Sequence, residues 1–197
     1  MTDAPWLRAE QTDLAIARIL EAAGKAIVTA GGVRGVTMAD IAAEAGCSRA
    51  TLYRYFKNRH ELHIAFVTRR AREVANEITQ RVGHIQEPQS QQARLIREAI
   101  RAVRSRPDLA IWFEPDQAGH TAQLSGHPEL LEALTQGFAA SVPTSSQPKP
   151  QAERLVRWMI RIIVSFLSMP GSSEAEESRI IDHFIRPGLV PGNASKN

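Results

Sequence analysis

The chain has 197 residues, 43% of them hydrophobic, and carries 24 Lys and Arg against 21 Asp and Glu, a formal net charge of +3. That length suits one small and one larger domain, and the single cysteine, Cys47, excludes an internal disulfide framework and any multi-cysteine metal site. No run of about 18 apolar residues marks a membrane span and no charged-then-apolar leader opens the chain, so a cytoplasmic protein without membrane attachment is expected.

Met1 to Gln11, whose few charges Asp3, Arg8 and Glu10 roughly balance, reads as a mobile arm. A long helix is expected over Thr12–Ala30. Leu14, Ile16, Ile19, Leu20, Ala23, Ile27 and Val28 give it a broad apolar stripe, and Gly31-Gly32 ends it. Gly24 in its interior weakens the helix by up to about 1 kcal/mol relative to alanine, which points to close packing against a neighbour.

The most informative stretch is Thr37 to Phe56. Ile41, Ala42 and Ala45 fall on one helical face and Asp40 and Glu44 on the other, which predicts a short amphipathic helix over Thr37–Ala45. Thr37 is an N-cap, and Asp40 suits the positive end of the helix dipole. Gly46 stops the helix, because glycine takes positive φ without steric cost. Ser48 then caps a second helix that turns Leu52 and Tyr55 inward and leaves Arg49, Ala50, Tyr53 and Arg54 outward. Two short helices around one glycine, with small residues at the crossing, form a helix-turn-helix. From Ser48 to Arg72 there are seven basic residues, Arg49, Arg54, Lys57, Arg59, Arg69, Arg70 and Arg72, against one acid, Glu61. Such a face favours a polyanion, and an arginine at position 49 is placed to donate a bidentate pair to guanine. Cys47, just after the turn glycine, reads as a small core residue.

Gly46, Ser48, Thr51-Leu52-Tyr53, Tyr55-Phe56 and the basic Arg59 resemble the tetracycline-repressor (TetR) type of transcriptional regulator, over residues 12 to 66. The resemblance implies an all-α fold, with a three-helix DNA-binding domain over residues 1–57 and a helical ligand-binding and dimerisation domain over 58–197. It implies base contacts from Arg49, Ala50, Tyr53 and Arg54. Phosphate contacts would come from Thr37, Ser48, Thr51, Tyr55 and Arg59, with Leu52 and Phe56 in the core. The implied partners are a palindromic double-stranded operator, a second copy of the chain bound through the last two helices, and a small apolar effector. Two positions depart from the family's pattern: Arg59 stands where lysine is usual, and Ala39 where some relatives carry a longer polar side chain.

Downstream, Asn58 with Glu61 three residues on opens a helix that runs to about Val82 through Leu62, Phe66, Val67 and Val74. It would link the two domains mechanically, with Arg69, Arg70 and Arg72 as a solvated face. From Gln91 the pattern stays helical, with stripes at Leu95, Ile96, Ala99, Ile100 and Val103 and at Leu130, Leu131, Leu134 and Phe138, and β-signals are few. Pro143 to Pro150 reads as an exposed linker. Helices are then expected over Ala152–Met169 and from the Ser173 cap to Pro187-Gly188. Arg154, Arg157 and Arg161 either meet Glu174, Glu176 and Glu177 or stay in solvent.

Trp112, Phe113, Phe138, Trp158 and Met159, with Phe166, are candidates to line an apolar effector cavity. His120 and His127, near Glu114 and Asp116, are candidates for polar recognition; their spacing matches no metal coordination pattern, and no metal or other cofactor is expected. The same four residues are what an acid–base enzyme would have to use, but no nucleophile elbow or phosphate loop accompanies them. A DNA-binding protein without an effector is the nearer alternative.

Overall fold

A computed structural model describes residues 5–82, 88–117, 119, 121, 124, 127–139 and 149–185. The described residues form helices α1 (Pro5–Thr29), α2 (Met38–Ala45), α3 (Arg49–Tyr55), α4 (Arg59–Val82), α5 (Pro88–Arg104) and α6 (Pro107–Ala110). After α6, single 3-10 turns follow at Ile111–Phe113 and Pro115–Gln117. They are succeeded by α7 (Pro128–Ala139), α8 (Lys149–Ser168) and α9 (Glu174–Ile180), which continues as a π-helical turn through Ile185. No strand occurs among the described residues, and the fold is all-α.

Two boundaries and one buried face differ from the sequence reading. Residues 5 to 11 are helical rather than an arm. Pro5 occupies the first helical position, where its missing N–H costs nothing and its fixed φ fits, and Leu7 to Gln11 are good helix formers. Leu14 and Val28, expected in the buried stripe, are exposed. Lys149 and Pro150 already belong to α8, so the described part of the expected linker is helical, its other residues lying outside the described ones, as does Pro187-Gly188.

Two apolar cores share α4. The first joins Ile19, Ala23 and Ile27 of α1, Ile41 and Ala42 of α2, Leu52 of α3 and Leu62 and Phe66 of α4, and it takes in Trp112, Leu124 and Leu130 from the second half of the chain. The second joins Val74 and Ile78 of α4 to Leu95 and Ile96 of α5, Met159 and Ile163 of α8 and Ile181. Gly24 is the close approach its position suggested: a Cβ there would sit 3.0 Å from the Phe66 ring and 3.3 Å from an Asp108 carboxylate oxygen. α4 thus runs from the helix-turn-helix into the second core as one rigid element.

Candidate nucleic-acid interface and apolar cavity

The α2–α3 unit is held by bonds the local sequence dictates. Thr37 donates its N–H (2.8 Å) and hydroxyl (2.7 Å) to Asp40 Oδ2, while Asp40 N–H donates back to Thr37 Oγ1 at 3.3 Å, a reciprocal capping box. Those bonds, the hydroxyl's first, hold the Asp40 carboxyl below the usual carboxylate range. Gly46 sits at φ 66° and ψ 34°, and its N–H and that of Cys47 close onto the carbonyls of Ala43 and Ala42. This is the Schellman pattern, which requires the left-handed residue that glycine supplies. Ser48 caps α3 by accepting from Thr51 N–H at 3.0 Å, and the two hydroxyls bond each other at 2.9 Å.

The outward face of α3 presents Arg49, Ala50 and Arg54, all exposed, together with Tyr53 at 49% exposure; Leu52 is fully buried and Tyr55 half-buried. Arg49, Tyr53 and Arg59 border a shallow cleft floored by Thr37, Met38 and Ala39. Three arginines of α3 and α4 are held differently. Arg59 Nη1 donates to the carbonyls of Arg34 and Val36, both at 3.1 Å, which staples α4 to the α1–α2 loop. The Arg54 guanidinium lies 5.2 Å from the centroid of the Tyr55 ring. The Arg49 side chain makes no hydrogen bond or ion pair among the described residues, although its charge adds slightly to the depression of Asp40.

Behind this unit, a cavity of about 110 Å³ lies between α4, α5, α7, α8 and the Leu109–Phe113 stretch. Val67, Ala71 and Val74 form one wall, Trp112 and Phe113 another, and Ile160, Ile163 and Leu167 a third; Thr121 contributes a polar side chain. Of the residues expected there, Trp112 and Phe113 line it. Met159 and Trp158 do not: α8 turns Ile160, Ile163 and Val164 to the cavity, so Met159 is buried in the second core and Trp158 is half-buried against it. His120 and the side chain of Phe138 lie outside the described residues. His127 is instead beside His60, ring centroids 6.1 Å apart, and Glu114 and Asp116 are exposed. No group of three or more metal-ligating side chains occurs among the described residues.

The segment from Pro107 to Gln117 lines the cavity and also reaches α4 and the loop that leads into α2. Arg70, expected in solvent, is largely buried. It pairs with Asp108 of α6 at 2.7 Å, with both oxygens of Glu21 of α1 at 3.0 Å, and with Glu73 at 2.8 Å. Burial opposes the charge, but the bonds to Glu21 and Glu73 outweigh it and raise the Arg70 pKa. Gln117, 2% exposed, accepts the Val33 N–H at 3.3 Å, and its amide packs on Gly32 in the loop that leads into α2. Nothing in the sequence around Gln117 marks it. Of the two readings open for Arg154, Arg157 and Arg161, exposure to solvent is the one the structure has: those arginines are exposed, and Glu174 and Glu177 pair with Arg101 and Arg104 of α5 instead.

A capped, glycine-turned helix pair with an arginine- and tyrosine-bearing outer face, mounted on an all-helical body, defines a helix-turn-helix DNA-binding regulator. Residues 19–66 match the family model described as "Bacterial regulatory proteins, tetR family". An uncharacterized HTH-type transcriptional regulator of Mycobacterium tuberculosis, found in two strains, is 36% identical over 195 residues, covering 99% of this chain and 95% of the relative. The chain belongs to the tetR family of transcriptional regulators and is not an enzyme. The solved structure of the TetR family repressor AlkX from Dietzia sp., implicated in biodegradation of n-alkanes, shares the fold with a TM-score of 0.70 at 24% identity, covering 88% of this chain and 94% of that one. The regulator FadR from Bacillus subtilis, solved with stearoyl-CoA, has a TM-score of 0.56 at 14% identity, covering 89% of this chain and 98% of that one. No helix among the described residues is long and apolar enough to cross a membrane.

Proposed function

We propose that the chain is a homodimeric repressor that leaves a palindromic operator when a small apolar molecule fills the cavity. The observation that carries the reading is that one short segment, Pro107 to Gln117, both walls the cavity through Trp112 and holds the loop before α2 through Gln117. At about 110 Å³ the cavity is below the usual 300–1,000 Å³ of ligand sites. A drug-sized occupant must push a wall outward, and this wall is tied to the DNA-reading unit. Dimerisation is supported by Met169 at 71% and Phe184 at 72% exposure, large apolar side chains that follow α8 and α9 and that a second copy would cover. AlkX, named for n-alkane degradation, and FadR, holding stearoyl-CoA, suggest aliphatic compounds and acyl thioesters as the first to try.

At the DNA, Arg49, Ala50 and Tyr53 face the bases, while Ser48, Thr51, Tyr55, Arg54 and Arg59 flank them as phosphate contacts. The Ser48–Thr51 pair keeps one hydroxyl proton to donate. The Thr37 hydroxyl already donates its hydrogen bond to Asp40, so it acts through the cap. The test is a mobility shift with the duplex upstream of the protein's own gene, followed by release with a panel of alkanes, alcohols and acyl-CoA thioesters. Salt-sensitive binding and release by an apolar compound are expected. Binding without release by any of them would favour a regulator with no effector, and absence of binding would end the operator reading.

A further inference from the structure

Resting on the operator reading above, the face of α3 also constrains what it reads. Base edges in the major groove differ in their donors and acceptors: arginine pairs bidentately with guanine O6 and N7, asparagine or glutamine with adenine, and carboxylates accept from cytosine. The exposed face of α3 offers Arg49, Ala50, Tyr53 and Arg54 and carries no Asn, Gln, Asp or Glu. A bidentate adenine reader and a carboxylate acceptor for cytosine are therefore both absent from this helix. Of the other arginines of this unit, Arg59 already spends Nη1 on two backbone carbonyls, and the Arg54 guanidinium lies over the Tyr55 ring. Arg49 borders the open cleft that Ala39 also lines, and among the described residues its guanidinium makes no hydrogen bond or ion pair, the Asp40 carboxylate acting on it only through a minor electrostatic attraction.

We infer that Arg49 is the specificity-determining residue and that each operator half-site carries a guanine at the position it reads. Arg54, stacked on Tyr55, contributes affinity without sequence preference. Because the side chain of Arg49 is exposed, its removal leaves the fold intact, and its chemistry is separable from general attraction to the duplex.

The experiment is selection of bound duplexes from a randomised library by the full-length protein at fixed salt, repeated with Arg49→Ala, Arg49→Gln and Arg54→Ala. The wild type should enrich a guanine at one fixed position in each half-site, and replacing that guanine should weaken binding by about ten- to a hundredfold. Arg49→Ala should flatten the preference at that position only, Arg49→Gln should move it toward adenine, and Arg54→Ala should weaken all sequences alike. Enriched sites without the guanine, or an Arg49→Ala variant that loses affinity equally for every sequence, would overturn the inference while leaving a DNA-binding regulator. Failure of the wild type to bind any duplex would remove the operator reading and this inference with it.

Discussion

Alanine is a better interior helix residue than glycine by about 1 kcal/mol, yet at position 24 that gain meets a wall. The added Cβ would lie 3.0 Å from Phe66 and 3.3 Å from Asp108 Oδ2, and overpacking a filled site costs about 1–3 kcal/mol. Gly24→Ala should therefore destabilise the fold by a net of roughly 1 kcal/mol and lower the thermal midpoint; a higher midpoint in a melting scan would show that the Phe66 ring yields freely. Arg70 lies next to this contact. Its guanidinium faces carboxylates of Glu21, Glu73 and Asp108, so Arg70→Met leaves three partly shielded acids with no cation between them. A loss of about 2–3 kcal/mol is expected by urea denaturation, and a change under 0.5 kcal/mol, the usual effect of a surface substitution, would show that solvent serves those acids equally well. The helix-turn-helix was legible at this scale because its determinants are local: Thr37 with Asp40, Gly46 with the turn, and Ser48 with Thr51 act over three or four residues. Arg70 was not, since Glu21 stands 49 residues away and only the packing of α1 on α4 brings it near.

Among elements, the α5–α9 junction depends on ionisation. Arg104 donates to both oxygens of Glu177 at 2.7 Å, and the Gly171 N–H adds a third bond at 2.8 Å. The Arg104 bonds, against the burial of the carboxyl and aided by Gly171, hold the Glu177 pKa below its ordinary value. A carboxylate with a depressed folded pKa stabilises the protein fully above its unfolded pKa, and that contribution fades as pH falls through the folded value. Glu177→Gln should thus destabilise the protein at pH 7 by about 1.5–3 kcal/mol. The difference from wild type should shrink below about pH 4.5, the ordinary value for a glutamate. A gap that stays constant between pH 7 and pH 3 would mean that the charge of Glu177 is not what binds α9. Which arginines would meet these acids was not readable from the sequence. α5 and α8 both carry a spaced row of arginines, and the choice between them rests on which helix face the second core buries.

For the molecule as a whole, the proposed signal must cross from the cavity to α2, and Gln117 gives it a narrow route. The side chain is buried, and its acceptor satisfies the Val33 N–H across a sequence separation of 84. No pattern in a sequence encodes so distant a bond, which explains why the outline of two helical parts was legible while their connection was not. Gln117→Leu keeps nearly the same volume and removes the acceptor, leaving Val33 N–H buried without its partner. Exchange of the Val33 amide should then quicken, because loop opening no longer breaks a hydrogen bond. Allosteric coupling is usually worth 5- to 150-fold in affinity. If Gln117 carries a large part of it, the ratio of operator dissociation constants with and without the most effective compound in the panel should fall toward one in Gln117→Leu. Operator affinity without the compound should change much less, since no DNA-facing side chain is altered. Linkage sharpens the comparison: the compound's own affinity should become equally indifferent to bound DNA. Faster exchange at Val33 with release undiminished would assign the coupling to the other bridge, Arg70 between Glu21 and Asp108, where α1 and α6 meet α4.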